Sequence, residues 1–260
     1  MRSSMQQFEH RSIRQSRHCC RNTGEPVILD YPMFPLGNVF VPGDVVSLRV
    51  FEDRYVAMMR DVLRSDTEHM HFGTVLIDRG SEVGGNDIRR DVGVDVRLHH
   101  CESSDTGGYV VIGVATRRLF VEKWKSDSPY PRADVTMEST EAAPKNLVSH
   151  VALVAQKVRS VLHLMLEESA KNGSSSTDKG DEDLVGRFLP AQLAAALGHA
   201  ASGTFDIGEC EDATWAIVRS LPCGPFDRYG LLAAPTLTAR LGQLEQVIAH
   251  LREMVEFRRQ

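Results

Sequence analysis

The chain has 260 residues, of which 42% are hydrophobic and 25% are charged, and its net charge at neutral pH is -5. This is the composition of an ordinary soluble protein, and the length allows a core that needs no metal or disulfide to hold it. The acidic balance argues against a general nucleic-acid binder, and the five scattered cysteines argue against a disulfide framework.

Membrane and export signals are not visible in the sequence. The first residues lack the apolar run of about 7–15 residues that a signal peptide requires. No stretch approaches the roughly 18 uncharged apolar residues of a membrane-spanning helix. We therefore expect a cytoplasmic protein that does not enter a membrane.

Residues 1–26 are predicted to form a disordered basic arm. The segment holds too few apolar residues to offset the entropy of ordering it. The favoured interpretation is a solvated leader without function, or a start codon at Met5 instead of Met1. The alternative is that the positive charge of the arm contacts nucleic acid or an acidic partner. The arginines of the arm are Arg2, Arg11, Arg14, Arg17 and Arg21.

Residues 27–140 carry the short apolar runs and turn pairs that are typical of strands. Pro42-Gly43 is a turn pair that a helix could not absorb, and Val92–Leu98 alternates with a period of two. Glycine-rich turns are predicted at Gly80–Gly85 and Asp105–Gly108. One helix, Glu52–Leu63, interrupts the series. The predicted strands are Phe34–Leu36, Val45–Val50, Phe72–Ile77, Val92–Leu98, Tyr109–Val114, Arg118–Val121 and Arg132–Met137.

Residues 141–260 change to a helical period. A long apolar stripe begins at Leu147 and reaches Met165. The polar stretch 172–183 is predicted to be a mobile loop. Strands first and helices second indicate an α+β fold. Further helices are predicted at Leu184–Leu197, Asp212–Leu221 and Phe226–Leu232, with a final long helix from Thr236.

Seven short motifs follow one another along the chain. They are Phe34-Pro35-Leu36, Val41-Pro42-Gly43, Phe51-Glu52-Asp53-Arg54-Tyr55, Phe72–Ile77, Gly80–Gly85, Thr116–Phe120 and Pro129-Tyr130. The order of these motifs resembles the N-terminal substrate-binding domain of the Lon ATP-dependent protease. The resemblance spans Tyr31 to Glu138 and continues loosely through the helices at Leu221-Pro222 and Arg240-Leu241. It implies a PUA-like, partly open β-barrel followed by an α-helical bundle.

The chain departs from that family in its polar segment Asn86–Arg90 and at Gly37-Asn38. A complete Lon protease also continues into an ATPase domain and a serine–lysine protease domain. No phosphate-binding loop or Gly-x-Ser-x-Gly motif occurs here. The chain is therefore expected to resemble the stand-alone members and to be no enzyme, with no catalytic residue and no cofactor.

Two histidine clusters were natural candidates for a metal site, because imidazole and thiolate bind zinc. They are His69-x-His71 and His99-His100-Cys101. Neither has a spacing typical of zinc sites, so solvated or hydrogen-bonded histidines are expected and no metal site is predicted. Glu52 and Arg54 are expected to support the start of a helix rather than to act as an acid–base pair.

The expected function is recognition of unfolded or degron-bearing polypeptides, and an adaptor of a protease in protein quality control is one form of that function. An extended segment would lie in a groove between barrel and bundle, through backbone pairing and aromatic contacts with Phe40, Trp124 and Tyr130. The alternative is RNA binding by the basic arm with Arg89-Arg90 and Arg117-Arg118, although nucleic acid is the less expected partner. A third hypothesis, an enzyme acting on a small ligand through His69 or His99, has no visible nucleophile and base to support it.

Overall fold

A computed structural model describes residues 25–65, 70–80, 87–104, 107–138, 147–172 and 191–258 of the chain. The strands in these residues are β1 (Ile28–Pro32), β2 (Val45–Val50), β3 (His71–Arg79), β4 (Ile88–Ser103), β5 (Tyr109–Trp124) and β6 (Arg132–Met137). The helices are α1 (Asp53–Leu63), α2 (Leu147–Asn172), α3 (Ala191–Ser202), α4 (Cys210–Ser220), α5 (Pro225–Ala233) and α6 (Leu237–Arg258).

The six strands form one antiparallel sheet, in which five follow the order β1-β6-β5-β4-β3 and β2 pairs with β5 beside them. The long strand β5 pairs with β4 on one edge, while β2 and β6 share its other edge. The segment that follows β1 bridges to β3 in parallel, with Met33 opposite Gly73 and Leu36 opposite Leu76. These bridges bring the two ends of the sheet together. The predicted α+β fold with a partly open barrel is confirmed.

Two strand predictions need correction. Phe34–Leu36 is not a strand: it joins β3 only by isolated bridges, in which the Phe34 and Leu36 amides donate to the Gly73 and Val75 carbonyls at 2.7 and 2.9 Å. The chain bends directly afterwards at Gly37-Asn38, so the pairing stays short. Tyr109–Val114 and Arg118–Val121 are two parts of one 16-residue strand, β5. The polar residues Thr116 and Arg117 between them indicated a break, but the Thr116 hydroxyl donates to the buried Asp95 of β4 at 2.7 Å and the pairing with β4 continues.

The helices lie where the apolar period placed them, with small shifts at their ends. The helix predicted from Leu184 is described only from Ala191 and extends to Ser202. The final helix begins as predicted, because the Thr236 hydroxyl accepts a hydrogen bond from the Ala239 amide at 3.1 Å. None of the described helices is both long enough and apolar enough to cross a bilayer. The basic arm, most of the Gly80–Gly85 turn, Asp105-Thr106 and the loop after Asn172 lie outside the described residues.

One large apolar core joins the sheet to the helices. Its members include Phe72 and Val94 from the barrel together with Val154, Leu197 and Leu241 from α2, α3 and α6. A smaller core fills the other side of the sheet around Met33, Leu119 and Val135. The described helices therefore act as a rigid support behind the sheet.

Candidate functional site

A tight turn places β2 against β5 at the start of the candidate site. Gly43 has a φ of +86°, which residues with a side chain rarely adopt. Its N–H donates to the Ala115 carbonyl at 2.7 Å, and the Ala115 N–H donates to the Asp44 carbonyl at 2.9 Å. Gly43 and Asp44 thus lie together opposite Ala115, which is a β-bulge. The bulge sets the register of every residue that follows in β2.

Two helices of the bundle hold this turn in place. The Arg228 side chain of α5 donates to the Asp44 carboxylate at 2.5 Å, and the Val41 amide donates to the same oxygen at 2.7 Å. The Arg219 side chain of α4 donates to the Pro42 carbonyl at 2.5 Å. Burial lowers the pKa of Arg219, while the charge of Asp44 opposes this shift. The position of β2 is therefore fixed by the bundle as well as by β5.

Strands β2, β5 and β4 share an outer surface that we call the open face. Residues opposite each other in an antiparallel ladder point to the same side of the sheet, so the pairing register gives its rows. The rows run from β2 across β5 to β4. They are Val45, Val114 and Arg97; then Ser47, Ile112 and His100; then Arg49, Val110 and Glu102.

The middle of the open face is an apolar stripe that no described residue covers. Ile112 is 38% exposed in the centre of the stripe, and Val45 at its margin is 66% exposed. Val110 and Val114 are half-buried beside them. A valine or isoleucine left at the surface in this way is available to an apolar ligand.

Charged side chains border the stripe on both sides. On the β4 side, Nε2 of His100 lies 3.0 Å from Oε1 of Glu102, and Arg97 is exposed. On the β2 side, Arg49 is exposed and has no carboxylate within ion-pair distance among the described residues. Cys101 points to the opposite side of β4, where burial raises the pKa of its thiol. Within the described residues, the β2 margin therefore carries a positive charge that no carboxylate neutralises.

The three predicted contact residues do not lie on the open face. Phe40 is half-buried in the loop before the Gly43 turn and packs against the main core. Tyr130 is only 8% exposed, and its hydroxyl donates to the Asp61 carboxylate at 2.9 Å. Trp124 packs against the smaller core. The structure thus brings Phe40 and Tyr130 to the same core and Trp124 to another.

An ion-pair network covers Trp124. The Arg89 guanidinium lies 4.7 Å from the centre of the Trp124 ring and forms hydrogen bonds to both carboxylate oxygens of Asp87 and of Asp127. Burial works to raise the pKa of Asp87, but the hydrogen bonds from Arg89, a backbone hydrogen bond and the positive charges of Arg89 and Arg54 together hold that pKa below its usual value. Much of the Trp124 ring is therefore already in contact with the protein itself.

The arginines considered for RNA binding are largely paired with carboxylates. Arg89 binds two aspartates, Arg90 binds Asp78 at 2.7 Å, and Arg118 binds Glu138. A guanidinium that is held by a carboxylate has fewer free donors for phosphate. This pairing weakens the case for phosphate contacts at these positions.

A buried polar cluster contains His71. The Asp95 carboxylate accepts hydrogen bonds from Tyr31 at 2.6 Å and Thr116 at 2.7 Å, and it lies 3.0 Å from Nδ1 of His71. Burial and the charge of Asp95 raise the pKa of Tyr31. These partners satisfy the carboxylate inside the sheet, which is a structural role. His69 lies outside the described residues, and within them no group of three ligating side chains could hold a metal ion.

Sequence reasoning missed the open face, although β5 carried a signal for it. Val110, Val111 and Ile112 are consecutive apolar residues, so both faces of this strand are apolar. A half-buried strand would alternate instead. The sequence does not show which of the two faces is covered, because that depends on where the helices pack.

A barrel that presents an uncovered apolar face, with a helical bundle as its support, is typical of a binding module. The family model for the substrate-binding domain of the ATP-dependent protease La (LON) matches residues 30–250. The chain therefore belongs to this family, whose domain is non-catalytic. The resemblance drawn from the motifs is confirmed.

A solved structure of the same kind shares the fold. The Lon N-terminal domain protein from Xanthomonas campestris is 23% identical, and the match covers 84% of this chain and 98% of that one with a TM-score of 0.50. The N-terminal domain of Lon protease from the Mycobacterium avium complex is 17% identical, with 85% and 98% covered and a TM-score of 0.46. No curated protein matches the chain significantly.

Proposed function

We propose that this protein binds exposed segments of other polypeptides and catalyses no reaction itself. The open face carries the proposal: in a member of a substrate-binding family, Val45 and Ile112 present apolar surface to solvent. Unfolded chains expose apolar side chains that folded proteins bury, and covering both surfaces removes apolar area from water. Binding would therefore discriminate by folding state rather than by one sequence.

The aromatic residues expected from the sequence have a smaller part in this proposal. Phe40 is half-buried near the junction of barrel and bundle and is proposed as an additional contact for a client that extends beyond the sheet. Trp124 could contribute only the part of its ring that Arg89 leaves free. Tyr130 is proposed to support its loop from within.

In the cell, we propose a role in cytoplasmic protein quality control, in which a bound client is presented to a protease. The scattered cysteines agree with a reducing compartment, and the three described ones, Cys101, Cys210 and Cys223, are free thiols. The test is the rate at which the host's Lon protease degrades an unfolded client with and without this protein. An unchanged rate over a range of concentrations contradicts the adaptor role.

Binding itself is tested with a reduced and carboxymethylated model protein, compared with its native form. Wild-type protein is expected to bind only the unfolded form. Changing Ile112 to Asp should weaken binding about tenfold, because a charge in the stripe must lose water against an apolar ligand. Leu29→Asp is the matched control, since Leu29 is 67% exposed in β1, outside the open face. Equal affinities of the two variants would contradict binding at this face.

A further inference from the structure

Strand β2 has one edge that no described residue pairs with. Its partner is β5 alone, over Val45–Val50 and Tyr109–Val114. In an antiparallel pair, alternate residues direct their N–H and C=O groups to the partner strand. Because Asp44 bonds to Ala115, the residues that continue this ladder are Val46, Leu48 and Val50.

The other three residues of the strand turn their backbone groups to the open edge. They are Val45, Ser47 and Arg49, and no backbone or side-chain hydrogen bond joins their N–H or C=O groups to another described residue. An unpaired strand edge is a template for one more strand. The same three residues are those whose side chains form the β2 margin of the open face.

We infer that this edge of β2 accepts an extended segment of a client polypeptide as an additional strand, with an apolar residue beside Val45 and an acidic residue beside Arg49. The inference rests on the proposed function and adds to it the place of contact and a sequence preference. The free donors and acceptors of the edge pair with the client backbone, as in β-strand addition.

The side chains of the margin determine which segments fit. Val45 is 66% exposed beside the apolar stripe. An apolar client residue opposite Val45 therefore extends the stripe onto the added strand. Arg49 is an exposed cation without a carboxylate partner among the described residues, so an acidic neighbour completes a cross-strand ion pair. These positions are four residues apart on one side of the strand. The preferred client therefore has an apolar and an acidic residue separated by three others.

The competing explanation is that Arg49 protects the edge. Charged residues on edge strands discourage pairing with other chains. On that reading, a charge reversal at Arg49 would leave client preference unchanged. The two explanations therefore make opposite predictions for one substitution.

The experiment uses the full chain and three labelled eight-residue peptides. The first has isoleucine and aspartate four residues apart, the second has lysine in place of the aspartate, and the third has the composition of the first with the two residues adjacent. Wild-type protein should bind the first peptide most tightly. Arg49→Glu should weaken that binding about five- to tenfold and favour the lysine peptide, because the cross-strand pair reverses its sign.

Two further variants separate the edge from the rest of the face. Arg97→Glu makes the same charge change on β4, away from the edge, and should leave the order of the three peptides unchanged. Ser47→Pro removes an N–H that points to the open edge and leaves the ladder to β5 intact. It should therefore weaken the binding of all three peptides. Circular dichroism confirms that each variant is folded. Amide exchange of Val45, Ser47 and Arg49 should slow when the first peptide binds.

The outcomes distinguish this inference from the proposed function. In one outcome, the wild type binds the carboxymethylated client, but Arg49→Glu and Ser47→Pro bind the three peptides as the wild type does. The client then lies elsewhere on the molecule, and the inference is wrong. If neither the unfolded protein nor any peptide binds, the proposed function fails as well. If the preference for the aspartate peptide over the lysine peptide reverses in Arg49→Glu and persists in Arg97→Glu, the result supports both the inference and the proposed function.

Discussion

At the scale of single residues, Gly43 combines two constraints. Its φ of +86° is a left-handed conformation, and an added Cβ would lie 2.1 Å from Nη1 of Arg219. That arginine donates to Pro42, so it cannot move away without losing its bond to the turn. The residue therefore links the backbone of the β2 bulge to the packing of helix α4.

Replacing Gly43 by Ala should lower the free energy of unfolding by roughly 1–3 kcal/mol for the backbone strain, with an additional cost for displacing Arg219. The measurement is urea denaturation. Gly107→Ala is the matched control, since Gly107 has a φ of +84° but nothing within 4 Å of its added Cβ. The excess loss in Gly43→Ala over Gly107→Ala reports the contact with Arg219. Equal losses would show that Arg219 does not hold the turn.

Tyr55 gives the protein a dependence on alkaline pH. Its ring stacks on Phe34 with centroids 3.9 Å apart, and burial raises the pKa of its hydroxyl to about 12. An unfolded tyrosine ionises near pH 10. Between pH 10 and pH 12 the folded state therefore keeps a proton that the unfolded state has lost. The contribution of this group to the free energy of unfolding is complete below pH 10 and declines as the pH rises from 10 toward 12.

Tyr55→Phe keeps the stack and removes the ionisable group. Relative to the wild type, this variant should gain stability as the pH rises from 9 to 12, because one fewer proton is released on unfolding. Urea midpoints at several pH values measure the difference. Phe40→Leu, which removes no ionisable group, should give an offset that does not vary with pH. A constant offset for Tyr55→Phe as well would contradict the raised pKa.

The limits of sequence reasoning at this scale are visible in the aromatic residues. Phe40, Trp124 and Tyr130 lie in polar or loop-like segments, which indicated exposure. The structure gives two of them partners from distant parts of the chain: Arg89 for Trp124 and Asp61 for Tyr130. No local pattern reveals such partners, because they depend on the folded sheet.

At the scale of elements, the period of apolar residues located most strands and helices. It failed where polar residues of a strand have partners elsewhere in the sheet. Thr116 and Arg117 indicated a break in β5, yet the Thr116 hydroxyl donates to the buried Asp95 of β4 and the pairing of the two strands continues. The next residue, Arg118, is buried, and its guanidinium donates to the Leu232 and Ala234 carbonyls at 2.9 and 2.6 Å and pairs with Glu138. Those partners lie at the end of α5 and just after β6. Strand β1 was missed for a different reason, since it is short, ends in proline and contains Asp30 at a φ of +55°.

The same contacts connect the strands of the open face to helix α5. Arg118 ties the middle of β5 to the C-terminal end of α5, and Arg228 ties the start of β2 to the same helix. An arginine buried with its partners is costly to remove, on the order of 3–5 kcal/mol, because the groups that it leaves behind stay buried. Helix α5 thus fixes two strands of the open face relative to each other.

At the scale of the whole molecule, the sheet and the bundle share one core. The boundary near residue 140 that the change of period predicts stays a prediction, but Phe72, Val94, Leu197 and Leu241 belong to one cluster of buried side chains. Neither part could separate without exposing that cluster to water. The two parts are therefore expected to unfold together.

The two tryptophans of the chain report on the two parts separately. Trp124 ends β5, whereas Trp215 is buried in α4 against the Arg240 guanidinium at 3.8 Å. The variant Trp124→Phe leaves Trp215 as the reporter of the bundle, and Trp215→Phe leaves Trp124 as the reporter of the sheet. In each variant, the fluorescence transition during urea unfolding should coincide with the change in circular dichroism. Adding Arg118→Met should shift both reporters to lower urea by the same amount, since the arginine joins the two parts. A sheet reporter that keeps its midpoint while the bundle reporter moves would instead show two units that fold independently, with the boundary near residue 140.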